Sequence, residues 1–134
     1  MSTIKDDIAR YFKNREGIVA VYLFGSHAQN ASRPFSDVDI GIIAEYASVD
    51  DIKKQFNNYI VELGRLLRKD VHPVMLNLAT ESLLSQVFLK GQCLAVNHRR
   101  ALSEFRMHRL VRIVEFNLYK QEMRKGFIEK FMEA

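Results

Sequence analysis

Two short apolar runs, Ile18-Val-Ala-Val-Tyr-Leu-Phe24 and Val38-Asp-Ile-Gly-Ile-Ile-Ala44, constrain the fold of this sequence more than any other feature. Both are rich in β-branched residues, and Gly17 and Gly25 bound the first, so both are predicted to be strands, the first a buried one. A polar loop joins them. Gly25-Ser26 ends the first run, while Asp37 and Asp39 open the second. Backbone N–H groups at a turn leaving a strand, together with a serine hydroxyl, suit phosphate oxygens, and glycine lets an anion approach the backbone closely. Side chains alternate across a strand, so Asp37 and Asp39, two residues apart, share a face. Two hard oxygen ligands at that separation suit Mg²⁺ that also takes oxygens from a triphosphate. If the two strands are neighbours, turn and carboxylates converge, and metal-assisted phosphoryl or nucleotidyl transfer is the chemistry expected. Each half alone is weak: Gly-Ser after a strand is usually only a turn, and Asp-X-Asp usually only a solvated strand end. Their joint occurrence at two strand boundaries is what carries the reading.

The rest of the chain fits one domain around these strands. With 134 residues, 48% apolar and 27% charged, it has the balance of a globular protein rather than a disordered one. No stretch approaches the roughly 20 apolar residues of a membrane span, and no signal-peptide pattern opens the sequence. Cys93 is the one cysteine, which excludes an internal disulfide or a zinc cluster and leads to the expectation of a cytoplasmic protein. Cys93 itself reads as a small core residue. Residues 2–13 have helical spacing with Ser2 or Thr3 as N-cap. Asp50 and Asp51 are expected to cap a helix running to about Arg68, with Ile52, Phe56, Ile60, Leu63 and Leu67 along its buried face. Asp70 to Leu76 reads as a strand in which Pro73 argues for an edge or a bulge. Thr80 caps a short helix that Gly91 ends, and Gln92 to Val96 reads as a last short strand. From about Arg99 one long helix follows, with a possible break at Gly126. The expected class is α/β (α+β), a small mixed sheet flanked by helices with a long C-terminal helix.

At Gly25-Ser26-His27-Ala28-Gln29-Asn30, followed by Ser36-Asp37-Val38-Asp39-Ile40-Gly41-Ile42-Ile43, the sequence resembles the nucleotidyltransferase signature of the DNA polymerase beta superfamily. Asn30 stands where that pattern usually has glycine, a mild departure because Asn tolerates the left-handed conformation. Chain length, element order and the stretch Asn77 to Gly91 resemble its minimal nucleotidyltransferase (MNT) group, over roughly residues 1–97. The resemblance implies a polymerase-beta-like fold and an MNT antitoxin of a HEPN/MNT toxin–antitoxin pair, transferring AMP from ATP to a tyrosine hydroxyl of the HEPN toxin. It assigns Gly25, Ser26 and Ser36 to the nucleotide and Asp37 and Asp39 to Mg²⁺.

The superfamily also implies a third carboxylate on a later strand, and here the sequence departs from the pattern. Aligned on Leu76-Asn77, His72 stands at that position and Asp70 is the nearest carboxylate, two residues upstream. Three readings stay open: Asp70 serves as third metal ligand and catalytic carboxylate through a register shift or bulge near Pro73; His72 acts as a general base beside a two-aspartate metal site; or the site binds nucleotide without efficient turnover. In the last case the chain would be a binding module that neutralises its partner by complex formation. His27, within the turn, reads as a solvent-exposed spacer, and Arg33 as a solvated loop residue.

The charge is uneven. Residues 1–96 carry 11 Lys+Arg and 11 Asp+Glu, whereas residues 97–134 carry 9 and 5, so the net +4 lies in the last quarter. The chain therefore divides into a nucleotidyltransferase domain, 1–97, and a basic amphipathic arm, 98–134. Phe105, Phe116, Tyr119, Phe127, Phe131 and the five glutamates of the arm favour a protein contact over nucleic acid. A HEPN-type partner and a homo-oligomer through this helix are both expected; a membrane is not.

Overall fold

The computed structural model describes residues 3–28 and 37–133. Both apolar runs are strands, β1 (Ile18–Phe24) and β2 (Val38–Ala44), and they pair antiparallel with Phe24 opposite Asp39 and Tyr22 opposite Gly41. Two further strands, β3 (Val71–Met75) and β4 (Gln92–Val96), complete a sheet of order β3-β2-β1-β4, with β3 parallel to β2 and β4 antiparallel to β1. Among the described residues five α-helices accompany it: α1 (Ile4–Phe12), α2 (Val49–Lys54), α3 (Phe56–Leu67), α4 (Glu81–Lys90) and α5 (Arg99–Glu133). The mixed sheet and long C-terminal helix are those expected.

Alternation along the strands sorts the core into two layers. Val21, Leu23, Val38, Ile40 and Ile42 face Ile8 and Phe12 of α1 and Tyr59, Leu63 and Leu67 of α3. On the other face Val19, Tyr22, Ile43 and Leu76 meet Leu84 and Val87 of α4 and Leu102 and Ile113 of α5. The first four turns of α5 thus belong to the core packing. Pro73 sits in β3, an edge strand, where its missing N–H costs no ladder bond to a further strand.

Local chemistry sets the helix ends. Thr3 caps α1 in a reciprocal capping box with Asp6, Thr80 caps α4 by accepting from the Leu83 N–H, and Ser2 lies outside the described residues. Several expectations are corrected. The helix expected from Asp50 to Arg68 is two, α2 and α3, meeting at Gln55. Asp50 and Asp51 lie within its first turn, where they favour the helix dipole, instead of capping it. Tyr59 is buried while Ile60 is exposed, because the inward stripe of α3 runs through Tyr59, Leu63 and Leu67 at i, i+4 and i+8. Gly126 does not break α5. Cys93 is exposed and not a core residue, since β4 is an edge strand whose register slips opposite Val21 and Tyr22. No helix among the described residues is long and apolar enough to cross a membrane.

Asn77 closes the end of β2. Its Oδ1 accepts from the Ala44 N–H at 2.8 Å and its Nδ2 donates to the Ala44 carbonyl at 2.9 Å, both partly buried. Replacing it by alanine leaves two backbone groups unpaired, at a cost of about 1–3 kcal/mol. Urea denaturation of Asn77→Ala should show a lower midpoint at unchanged slope.

Candidate active site

The end of β1 and the start of β2 meet at one point. Gly25 has φ +76°, a left-handed conformation that strains any side chain, and it opens a short 3-10 turn from Gly25 to His27. A Cβ on Gly25 would lie 2.4 Å from Asp39 Oδ2. Glycine is therefore required twice, for the turn and for the room the carboxylate occupies.

Asp39 stands opposite Phe24 on β1 and His72 on β3, so its carboxylate rises from the middle of three strands. Burial raises its pKa above the usual carboxylate value; the charge of His72 opposes this, Asp37 adds to it and His27 opposes it. His72 Nε2 lies 3.1 Å from Asp37 Oδ2. The structure thus gathers Gly25, Asp37, Asp39 and His72. Ser26, half-buried, follows Gly25 in the turn. Ser36, Arg33 and Asn30 lie outside the described residues.

The parallel ladder runs from Val38 opposite Val71 to Ile42 opposite Met75 without a shift, which corrects the expectation of a bulge near Pro73 bringing Asp70 inward. Asp70 joins the site through its backbone: its carbonyl accepts from the Val38 N–H at 2.8 Å. Its side chain is exposed and is not among the charges acting on Asp39. The side chain opposite Asp39 is that of His72. Among the described residues no group of three or more His, Cys, Asp or Glu side chains could hold a metal ion. Two carboxylates remain, a donor set that fits a hard divalent cation completing its shell with phosphate and water oxygens.

Three residues of the site escaped the sequence reading. His27 is only 8% exposed and its charge acts on Asp39; it is no solvated spacer, because the 3-10 turn folds it inward. Gln86 and Lys90, one helical turn apart on α4, line a cleft of about 290 Å³ with Phe24, Gly25, Asp39 and Gly91. Their polar i, i+4 spacing beside the apolar Leu84 and Val87 was the available signal. Gln92 Nε2 ties β4 to this turn by donating to the Ala28 carbonyl at 3.0 Å.

The model of the polymerase beta nucleotidyltransferase family matches residues 6–100. The chain belongs to that family. No curated protein sequence matches it. Among solved structures, it is similar to a chain of a toxin–antitoxin crystallised with AMP-PNP, at 23% identity over 94% of both chains and a TM-score of 0.59. A chain of the tri-AMPylated Shewanella oneidensis HEPN toxin in complex with its MNT antitoxin is similar at 22% identity over 96% of both chains, TM-score 0.56. A chain of the MntA–HepT toxin–antitoxin is similar at 22% identity over 96% of this chain and 97% of that one, TM-score 0.56. At these identities the likeness establishes the nucleotidyltransferase fold.

Two outcomes follow from the geometry. Gly25→Ala should cost about 1–3 kcal/mol through backbone strain and, by displacing Asp39, abolish nucleotide binding in a chain that still folds; calorimetry with ATP and circular dichroism read the two effects. Asp39→Asn should instead stabilise the fold at neutral pH. With a folded pKa above the ordinary 3.8, Asp39 contributes stability that is full below that value and lost as pH rises through the raised one. The amide carries no such loss, so the difference in Tm between variant and wild type should shrink as pH is lowered through the carboxylate range.

Proposed function

We propose that this chain is a Mg²⁺-dependent nucleotidyltransferase of the MNT antitoxin type, which transfers AMP from ATP to a tyrosine hydroxyl of a HEPN-type partner in the cytoplasm. The observation that carries the reading is the close approach of the Gly25 turn to Asp39, which sets a turn suited to phosphate against a carboxylate in one cleft. The toxin–antitoxin complexes among the fold's neighbours, one with AMP-PNP and one with an AMPylated HEPN toxin, support the substrate and the partner.

In this reading the backbone N–H groups at Gly25 and Ser26, with the Ser26 and Ser36 hydroxyls, hold triphosphate oxygens. Lys90, lining the same cleft, adds positive charge toward them. Asp37 and Asp39 are the residues that would hold Mg²⁺, which when bound neutralises charge developing on the α-phosphate. The tyrosine oxygen attacks the α-phosphorus in line as its bond to the bridging oxygen of pyrophosphate breaks, and pyrophosphate leaves. The tyrosine proton goes to a base: the His72 imidazole is able to accept it when unprotonated, and Asp70 is the carboxylate that could serve in its place. The second reading, a partner-binding module without turnover, is favoured by one observation, the imidazole of His72 rather than a carboxylate opposite Asp39.

The test is incubation with labelled ATP, Mg²⁺ and the co-encoded HEPN protein, read by mass spectrometry. The expected result is gain of AMP on a partner tyrosine, lost in Asp37→Asn and Asp39→Asn. Loss of transfer in His72→Ala with retention in Asp70→Asn assigns the base to His72, and the opposite result assigns it to Asp70. A stable complex that protects against the toxin without any AMP gain would replace this proposal with the second reading.

A further inference from the structure

Two clefts flank the carboxylates and divide the candidate chemistry between them. The cleft of about 290 Å³ at the end of β1 is lined by Gly25, Asp39, Gln86 and Lys90. A second, of about 590 Å³, lies between α3 and β3 and is lined by Phe56, Asn57, Ile60, Asp70, His72 and Pro73. The first holds the turn and the cation suited to phosphate. The second holds both side chains able to take a proton from an acceptor, Asp70 and His72. His72 joins the two regions: it is paired with Asp39 across the strands, and its Nε2 lies 3.1 Å from Asp37 Oδ2.

We propose that the second cleft is the acceptor subsite and that it takes the phenol ring of a tyrosine. This rests on the transfer proposed above. Attack in line on the α-phosphorus puts the entering oxygen and the departing pyrophosphate on opposite sides. A triphosphate seated against Gly25 and Lys90 therefore leaves the β3 side to the acceptor. A base has to come within about 2.6–3.2 Å of the hydroxyl it deprotonates, and both candidate bases line this cleft and not the other. As the oxygen–phosphorus bond forms and the bond to pyrophosphate breaks, the proton passes to whichever of the two serves. The walls set the class of acceptor. Phe56 and Ile60, one helical turn apart, offer a half-buried ring and an aliphatic side chain that is 41% exposed. With Pro73 they make an apolar slot beside an imidazole and a carboxylate, which suits an aromatic ring with a polar tip. A serine or threonine hydroxyl has no ring to fill it. The edge of β3 also disfavours the other way a protein segment docks on a sheet. The Val38 N–H bonds to the Asp70 carbonyl, so along the ladder the backbone groups of Asp70, His72 and Val74 turn toward β2 and those of Val71, Pro73 and Met75 turn outward. Proline in the middle of the outward set has no N–H to donate, which interrupts any added strand. Entry is by a side chain.

Ile60 is exposed, so Ile60→Asp should fold, as circular dichroism will check. It should raise KM for the co-encoded HEPN protein about tenfold, with kcat and ATP affinity unchanged within about twofold. Val61→Asp, exposed at the next position of α3 and outside the cleft, should change none of these. A second readout needs no turnover. Ile60→Cys in a Cys93→Ser background, labelled with a benzophenone and irradiated in the complex, should cross-link to the partner peptide that carries the AMP-accepting tyrosine. An unchanged KM in Ile60→Asp, an equal rise in Val61→Asp, or a cross-link that is absent or falls on a peptide without that tyrosine would each overturn the subsite. If the wild type transfers no AMP, the proposed transfer fails by itself. The cross-link then decides the slot alone: capture of a tyrosine-bearing partner peptide keeps it as a tyrosine-binding slot, and no such capture removes it.

Discussion

The antiparallel pairing of β1 with β2 is the constraint on which the remaining structure depends. Both strands are buried on both faces, so a slip of one residue would exchange their two sets of side chains between the two layers of the core. That rigidity places Phe24 opposite Asp39, and through it brings the turn at Gly25 against the carboxylate. β3 is then held parallel to β2 and carries His72 to the same point, while α4, packed by Leu84 and Val87, contributes Lys90 and Gln86. The cleft is a by-product of register.

What was legible in the sequence is what depends on short-range pattern. The strands, the Thr3 and Thr80 caps, the edge position of Pro73, and the shared face of Asp37 and Asp39 all follow from alternation, capping chemistry or a missing N–H. What was not legible depends on how elements lie against each other. Nothing within Asp50 to Arg68 announces that the helix divides at Gln55 or that Tyr59 is buried in place of Ile60. The burial of His27 comes from a 3-10 turn folding it back under the sheet end, and the exposure of Cys93 from an edge strand out of step with its neighbour. For the third position the sequence leaves three readings open: Asp70, His72, or a site without efficient turnover. Only the unbroken parallel ladder shows His72 to be the residue across from Asp39.

The long helix shows why average amphipathicity misleads. Leu102 and Ile113 are buried against the core, while exposed apolar side chains from Met107 to Met132 lie all round the helix, so α5 has almost no single-sided character over its whole length.

The same reasoning clarifies the cost built into the cleft. Asp39 sits partly withdrawn from water beside another carboxylate, and both influences disfavour its ionised form. His27 and His72 offset this in part, and Lys90 lines the space in front of it. A core aspartate kept at such a place gains nothing for folding that asparagine would not supply at neutral pH. On the proposed function, the compensation comes from outside the chain: Asp37 and Asp39 would hold a divalent cation, whose charge would offset that of the two carboxylates. The destabilised carboxylate, the glycine that makes room for it and the basic side chains beside it are then one device, in which the fold gives up some stability to hold charge where an anionic substrate and its metal would balance it.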